Sequence, residues 1–483
     1  MKHRLKEQQT KLNALIQRHP YLAAFLAGCI YYGIAVSWMF TIRTAEIAKG
    51  NAAKFVGISA AIIMVGSFAM GFVFFVWFLR RMHVDIRDKK ALILIPSAWA
   101  LSEFIRAYFF SIVSLGPTGR VGAYWSYGDI GYVFGLTPLT YLGRLGGVYF
   151  LSFIGVLLIV LGIRTLYLKS YRFTVLILSV VIIATFLCWK IYAQANGKTI
   201  NVAALSYHSV QYPNIQSDEA KPYFIHRPFV SPQAVVLPEY SGFYSQDSKP
   251  NDYLLEKYTQ RRGVVIQSRR EIQDSYNKNM LVFTTPTGTL LNAQQKWFTV
   301  PSGEYVPYVY QVLLAYAGQG QLLLDFRNQK SVLPGDSPET PYAYEGVKYG
   351  SLVCSGITSP EHYRRLAADG ATILTNSASL GSLGVTSFHH MQAQLMAQRY
   401  AVDTARPFVQ SAKDAPAYIY DHNGQLLAKT NKGLIQADVA TNSRRTPYVL
   451  FGNWIIALST ILVCMRLYET LKNKKKKGTI KRK

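Results

Sequence analysis

One cysteine, Cys354, stands in the comparatively polar stretch 197–446, at the end of the strand-like run VKYGSLVCS (347–355). The other three, Cys29, Cys188 and Cys464, fall in apolar runs, where a thiol is usually a packing group. Cys354 therefore has no disulfide partner and no second thiolate for a metal site. A solitary cysteine at a strand end reads either as a nucleophile or as an inert core thiol. A nucleophilic thiol needs a base for its proton and a cation or N–H donor for the oxyanion that follows attack. The apolar run QAVVLPEY (233–240) carries Glu239 into a semi-buried place, where desolvation raises a carboxyl pKa towards that of a usable base; a strand-end glutamate with a structural task reads the same way. Lys296, flanked by Trp297 and Phe298 and followed by Glu304 in PSGEYVP, offers a compact, partly desolvated ammonium suited to an oxyanion. Taken alone, that segment is also consistent with a surface lysine in a loop. His389 and His390 lack HExxH spacing and, adjacent on a helix, point in different directions; they read as a surface feature.

Alternating strands and helices must position these groups. KTINVAALS (198–206), QAVVLPEY, GVVIQS (263–268), MLVFTTPTGTLL (280–291), VKYGSLVCS and ATILTNS (371–377) read as strands, with a turn at Thr287-Gly288. EHYRRLAADG (361–370) and HHMQAQLMAQRYAVDTA (389–405) read as helices, the first with a glycine stop. PFVQSA and AYIYDHNGQLLAK give a strand and a hairpin at Asn423-Gly424. The pattern argues for an α/β or layered α+β domain.

The rest of the 483-residue chain is of another kind. Only 16% of residues are charged and 50% are hydrophobic, against roughly 25% charged in average soluble domains, which excludes a disordered chain, a small secreted scaffold and a purely soluble protein. Apolar runs near the ~20 residues that span a bilayer occur at about 21–42, 55–79, 91–110, 138–163, 173–193 and 448–467. The 52 Lys and Arg against 26 Asp and Glu give a formal charge of +26. Many of these cations lie in the N-terminal arm, at 80–90, at 164–172 and in the tail 472–483. Placing all four inside the cell requires six spans with both termini cytoplasmic, which is the number of runs. The expected organisation is a basic arm (1–20), a five-helix membrane part (21–196), an extracytoplasmic domain (197–446), a final span (447–467) and a basic tail (468–483). Glu103 and Arg106, three apart in the third run, are expected to pair with each other, and Arg144 to lie at the membrane interface. Loops 111–137 and 376–388 are candidate lids or lipid contacts. No nucleic-acid motif, Walker A loop or GxGxxG after a strand is present, so no nucleic acid, nucleotide cofactor or metal is implied.

The ordered set Glu239, Lys296 and Cys354 with these flanks resembles the nitrilase superfamily, and more closely the apolipoprotein N-acyltransferase family. QQKWFTVPSGEYVPY, the YN before the hairpin, WALSEFIRA, GLTPLTYLGRLGGVYFLSF, RRLAADGATILTNS and AVDTARPFVQSA are similar to family segments, from about residue 21 to 467. Members usually have eight spans where six are expected here, the two at the N-terminus being absent. CYE commonly follows in the family where this chain has Cys354-Ser355-Gly356, NSASLGSLG (376–384) replaces an Asn-Asp-Ala-Trp stretch, and KDAPA (413–417) replaces an Asn-Thr-Gly-like one. The resemblance implies a polytopic helical membrane domain joined to an αββα sandwich. It also implies a Glu239–Lys296–Cys354 triad supported by Glu304, no cofactor, and a monomer in the bacterial cytoplasmic membrane. The implied reaction moves an acyl chain from a phospholipid, through a Cys354 thioester, to the α-amine of a diacylated lipoprotein. A membrane-tethered amidohydrolase, acyl transfer to another amine, and a non-enzymatic scaffold with a decayed site are the alternatives.

Overall fold

The computed structural model describes residues 17–42, 50–169, 171–207, 231–243, 255–273, 276–329, 331–380 and 387–480. Five helices come first: α1 (Pro20–Ala35), α2 (Gly50–Met82), α3 (Ala91–Val113), α4 (Gly143–Leu168) and α5 (Tyr171–Ile191). Strands β1 (Thr199–Tyr207), β2 (Ala234–Glu239), β3 (Val264–Gln273), β4 (Tyr276–Thr284) and β5 (Leu290–Gln295) follow. Next are α6 (Tyr308–Tyr316), α7 (Gly320–Gln329), β6 (Val332–Leu333), β7 (Tyr342–Tyr344) and β8 (Val347–Val353). The chain continues through α8 (Pro360–Ala368), β9 (Ile373–Ser379), α9 (Ser387–Thr404), β10 (Phe408–Lys413), β11 (Ala417–Tyr420), β12 (Leu426–Thr430) and β13 (Gly433–Ala440). It ends on α10 (Pro447–Phe451) and α11 (Trp454–Ile480).

The strands run in the order β5-β4-β3-β2-β1-β10-β9-β8-β7. β1, β2 and β3 are parallel, as are β8, β9 and β10, so both centres are buried on two faces and read as near-continuous apolar runs. The β1–β3 half faces the β8–β10 half across a core that includes Val202, Val236, Ile266, Phe283, Val353, Ile373 and Val409. Outside the first half pack Phe243, Leu255 and Tyr258; outside the second pack α8 and α9 through Tyr363, Leu366, Met396 and Tyr400. This is the expected layered sandwich. The α6–α7 pair and β13, which pairs along β1, were not anticipated.

Among the described residues, five helical segments are long and apolar enough to cross a membrane: Gly57–Met82, Ala91–Val113, Pro138–Leu168, Tyr171–Ile191 and Trp454–Lys474. In hydrocarbon each backbone N–H and C=O must be satisfied within its own helix, which is why such runs fold this way. The run at 21–42 behaves differently. Its helix, α1, is 16 residues long, or ~24 Å. It stops because Gln392 Nε2 donates to the Ala35 carbonyl (2.6 Å) while Gln392 Oε1 accepts from Trp38 Nε1 (3.0 Å). The chain then turns into a 3-10 segment, Ser37–Thr41.

One expectation about charge is corrected. Glu103 and Arg106 do not pair with each other. Arg106 pairs with Asp129, and Glu103 accepts from Trp99 Nε1 (2.9 Å) and the Ile130 amide (3.0 Å); helical spacing in sequence could not reveal a partner from a distant loop. Arg144 is fully buried where the helices meet the sandwich. It donates to the carbonyls of Cys188 (2.8 Å), Val402 (3.2 Å) and His422 (3.3 Å) and to Asn423 Oδ1 (2.8 Å), joining α4, α5 and α9 to the β11–β12 hairpin. Replacing it by methionine leaves several buried acceptors without a donor, at ~1–3 kcal/mol each. Thermal unfolding in detergent is expected to move down by several degrees in Arg144→Met; an unchanged midpoint would show the tether to be dispensable.

Candidate functional site

Glu239 ends β2 at an irregularity. Val236 pairs with Ile266 and Glu239 with Ser268, so β2 holds one residue more than β3 between these points. The extra residue falls beside Pro238, which has no N–H for the ladder. Val235 and Leu237 face the outer layer and Ala234 and Val236 the inner core. Strict alternation would turn Glu239 outward; the bulge turns it inward. There Asn279 Nδ2 donates to its Oε1 (2.7 Å). Tyr240 follows with φ 53°, a left-handed conformation that costs a non-glycine residue of order 1 kcal/mol.

Cys354 follows β8 with φ 48° and opens a 3-10 turn, Cys354–Thr358. Its Sγ lies 3.6 Å from the Ser379 carbonyl at the end of the parallel neighbour β9. The turn is tight at Gly356, where a Cβ would sit 2.5 Å from Leu352 Cβ, so glycine is required. The Ser355 hydroxyl donates to the Phe298 carbonyl (3.3 Å), fastening the turn to the lysine-bearing segment.

Lys296 leaves β5, its amide donating to the Asn279 carbonyl (2.8 Å). Its side chain is 2% exposed, and Nζ donates to both oxygens of Glu304 at 2.8 and 2.9 Å. Glu304 Oε2 also accepts from the Val300 amide (2.8 Å), and the loop turns through Ser302 at φ 61°. Thus Tyr240, Ser302 and Cys354, all in left-handed geometry, are, or lie within two residues of, Glu239, Glu304 and the thiol.

The electrostatics follow from burial. Desolvation raises the Glu239 pKa, opposed by the Lys296 ammonium and reinforced by the Glu304 carboxylate. Desolvation and the Glu239 charge push the Cys354 thiol well above the ordinary thiol range, with Lys296 opposing. Burial works against the charge on Lys296, but Glu304 and then Glu239 outweigh it and hold the ammonium above the usual lysine range. At rest the sulfur is therefore a protonated thiol, close to Glu239 and to the Lys296 ammonium.

The structure brings Glu239, Lys296, Glu304 and Cys354 together. Two residues escaped the sequence reading. Asn279 bridges the glutamates, donating to Glu239 and, at 3.4 Å, to Glu304, while its Oδ1 accepts from Ser268 Oγ (2.7 Å). Glu339, buried and raised in pKa by desolvation, accepts from the Trp297 amide (3.1 Å). The only signal for Asn279 was its place two residues beyond the YN pair; Glu339 had none. His389 is not a surface residue. It is fully buried, its ring 4.0 Å from that of Trp38 and its Nε2 3.1 Å from Tyr127 Oη. Of the candidate loop 376–388, residues 381–386 lie outside the described residues.

A family model for carbon-nitrogen hydrolases matches residues 243–447. With the two facing sheets, that defines the class of the domain: a nitrilase-like sandwich, to which β1, β2 and Glu239 add strands ahead of the matched stretch. A second model, the apolipoprotein N-acyltransferase N-terminal domain, matches residues 12–161. The chain belongs to the apolipoprotein N-acyltransferase family. Relatives of that name from Pasteurella multocida and Vibrio vulnificus are each 22% identical, over 93% and 82% of this chain and 87% and 79% of theirs. Among solved structures, a carbon-nitrogen hydrolase from Helicobacter pylori is 14% identical with a TM-score of 0.37, covering 57% of this chain and 95% of its own. Nit3 of Saccharomyces cerevisiae is 15% identical with a TM-score of 0.36, over 51% and 91%.

Proposed function

We propose that this chain transfers an acyl group from a membrane phospholipid to the α-amine of a diacylglyceryl-modified N-terminal cysteine of lipoproteins, at the outer face of the bacterial cytoplasmic membrane. In this reading residues 21–196 and 447–467 are membrane-embedded, 197–446 is the extracytoplasmic catalytic domain, and the basic ends 1–20 and 468–483 are cytoplasmic. The observation that carries it is the convergence of a buried Glu239, a Glu304-held Lys296 and the Cys354 thiol on one point.

The steps balance on these groups. Cys354 Sγ attacks the ester carbonyl carbon while Glu239 takes the thiol proton, and Lys296 Nζ stabilises the oxyanion. The C–O bond breaks, Glu239 returns the proton to the leaving lysophospholipid alkoxide, and a thioester remains. The acceptor nitrogen then attacks that thioester and loses its proton to Glu239. The C–S bond breaks, the sulfur regains a proton, and an amide is released. Just beyond the GEYVP loop, α6 and α7 expose Val312, Leu313, Tyr316 and Leu324, an apolar approach that suits lipid-anchored substrates.

The test is intact mass spectrometry after incubation with phospholipid, beside Cys354→Ala. A hydroxylamine-labile gain of one fatty acyl group, present only with Cys354, is the expected result. No adduct, with a diacylated lipopeptide also left unmodified, would shift the reading to a membrane-tethered amidase using water.

A further inference from the structure

The geometry points to Arg106, together with Glu103, as a positioning residue for the reaction at Cys354, acting from inside the membrane helices through the segment 114–132. This rests on the reaction proposed above for what is positioned, though not for how.

Arg106 is completely buried in α3 and pairs with Asp129. Its guanidinium carbon lies 4.2 Å from the ring centre of Phe68 and 4.9 Å from that of Tyr32. Helix α2 comes so close that a Cβ on Gly71 would lie 3.2 Å from Arg106 Cδ. Around this charge three helices grip residues 128–131. Glu103 accepts from the Ile130 amide, Ser152 Oγ of α4 from the Gly131 amide (2.9 Å), and Tyr31 of α1 donates to the Gly128 carbonyl (2.8 Å).

The other side of the same segment holds both halves of the site. Ser126 donates to the Thr358 carbonyl through its hydroxyl (2.8 Å) and amide (3.3 Å), and Thr358 Oγ1 donates to the Tyr124 carbonyl (2.8 Å). Thr358 closes the 3-10 turn that Cys354 opens. Tyr132 reaches the turn as well, through Tyr400, whose hydroxyl donates to the Ile357 carbonyl (2.7 Å). The start of the segment takes the lysine-bearing loop. Thr299 Oγ1 donates to the Thr118 carbonyl (2.8 Å), Tyr305 Oη to that of Ser114 (2.9 Å), and Arg120 to those of Trp297 (3.2 Å) and Gly335 (2.7 Å). One rigid piece therefore sets the place of the nucleophile relative to that of the ammonium, and buried intramembrane charges set the place of that piece.

Stability does not account for these charges. Buried ionic clusters are frequently matched or bettered by apolar side chains of similar volume, and ionisable groups at membrane depth are functional by default. Position is what a directional pair supplies and an apolar contact does not. A displacement of ~1 Å at a reacting group can cost about a hundredfold in rate.

The test uses the full chain and two readouts: acyl-enzyme formation from phospholipid, and alkylation of Cys354 by iodoacetamide, which needs the thiol beside Glu239 but no lipid. Arg106→Gln, Ser126→Ala and the double variant are compared at matched unfolding temperature. Each single variant is expected to slow both readouts tenfold or more, with the double variant no slower than Arg106→Gln alone, because both act through one segment. Wild-type rates in folded single variants, or additive losses in the double, would overturn the proposal. If Arg106→Gln does not fold, Ser126→Ala, which leaves the buried pair intact, decides the matter by the same two rates. Slowed alkylation in a protein whose wild type never acylates would retain the positioning role and refute the acyltransferase reading; wild-type acylation unaffected by the variants would do the reverse.

Discussion

Glu239→Gln is expected to lower acyl-enzyme formation by about 10²–10⁴-fold, the range over which a positioned general base contributes, while leaving the protein folded and no less stable at neutral pH. The amide keeps the shape of the carboxyl and can still face Asn279 and the thiol, so packing is retained and only proton acceptance is lost. Stability is not expected to fall, because burial opposes the charge on Glu239. A carboxyl whose folded pKa is raised binds its proton more tightly in the folded state. Its contribution is full below the unfolded carboxylate pKa and declines as pH rises through the folded value. In the wild type the acylation rate should therefore rise along a limb displaced above the ordinary carboxylate range, as Glu239 ionises. Denaturant midpoints should show the wild type losing stability across that window relative to Glu239→Gln. Single-turnover acylation and midpoints against pH test both halves. Acylation at the wild-type rate in Glu239→Gln would remove the base from the scheme, whatever the stability curves did.

How far the site was legible in sequence depended on whether a signal was local. VVLPEY, QQKWF and the strand ending at Cys354 each mark a strand end with a chemically distinctive residue, and strand ends on parallel ladders meet at one edge of a sandwich. The bulge that turns Glu239 inward was not legible, because it is a relation between β2 and β3; Pro238 hints at it but fixes no register. Asn279 is one polar residue in a β-run, and its value comes from two carboxylates supplied by segments 40 and 25 residues away. The same limit produced the errors. Arg106 sits three residues from Glu103, a spacing that proposes a pair, yet Asp129 comes from a loop no periodicity connects to α3. His389 reads as a surface residue only if the helices and the sandwich are separate bodies. Instead they share one apolar core running from Tyr32 and Phe68 to Tyr363 and Phe408.

Replacing Lys296 by methionine is expected to lower both rate and stability, because it removes two things together. The first is the cation at the oxyanion: loss of one such donor costs about 10²–10³ in rate. The second is the counter-charge for Glu304, which Lys296 meets at 2.8 and 2.9 Å with both side chains largely buried. Breaking a buried pair by removing one partner typically costs ~3–5 kcal/mol, since the remaining charge is left uncompensated. Glu304→Gln is the informative contrast. It frees the ammonium from its anchor but keeps the cation, and its amide oxygen can still accept from Nζ, so its rate loss should be the smaller of the two. The lysine pKa is raised in the folded state, with Glu304 and then Glu239 outweighing burial. Its contribution is therefore present in full below the ordinary lysine pKa and is lost only as pH climbs through the folded value. The stability gap between wild type and Lys296→Met should stay constant, as far as this group is concerned, through the neutral range and narrow only in strong alkali. Lys296→Arg should not rescue the rate, because a planar guanidinium cannot occupy the place of a compact ammonium enclosed by Glu304, Asn279 and Glu239. A Lys296→Met protein that formed the acyl-enzyme at the wild-type rate would leave the oxyanion to backbone donors of the Cys354–Thr358 turn and reduce Lys296 to a structural cation.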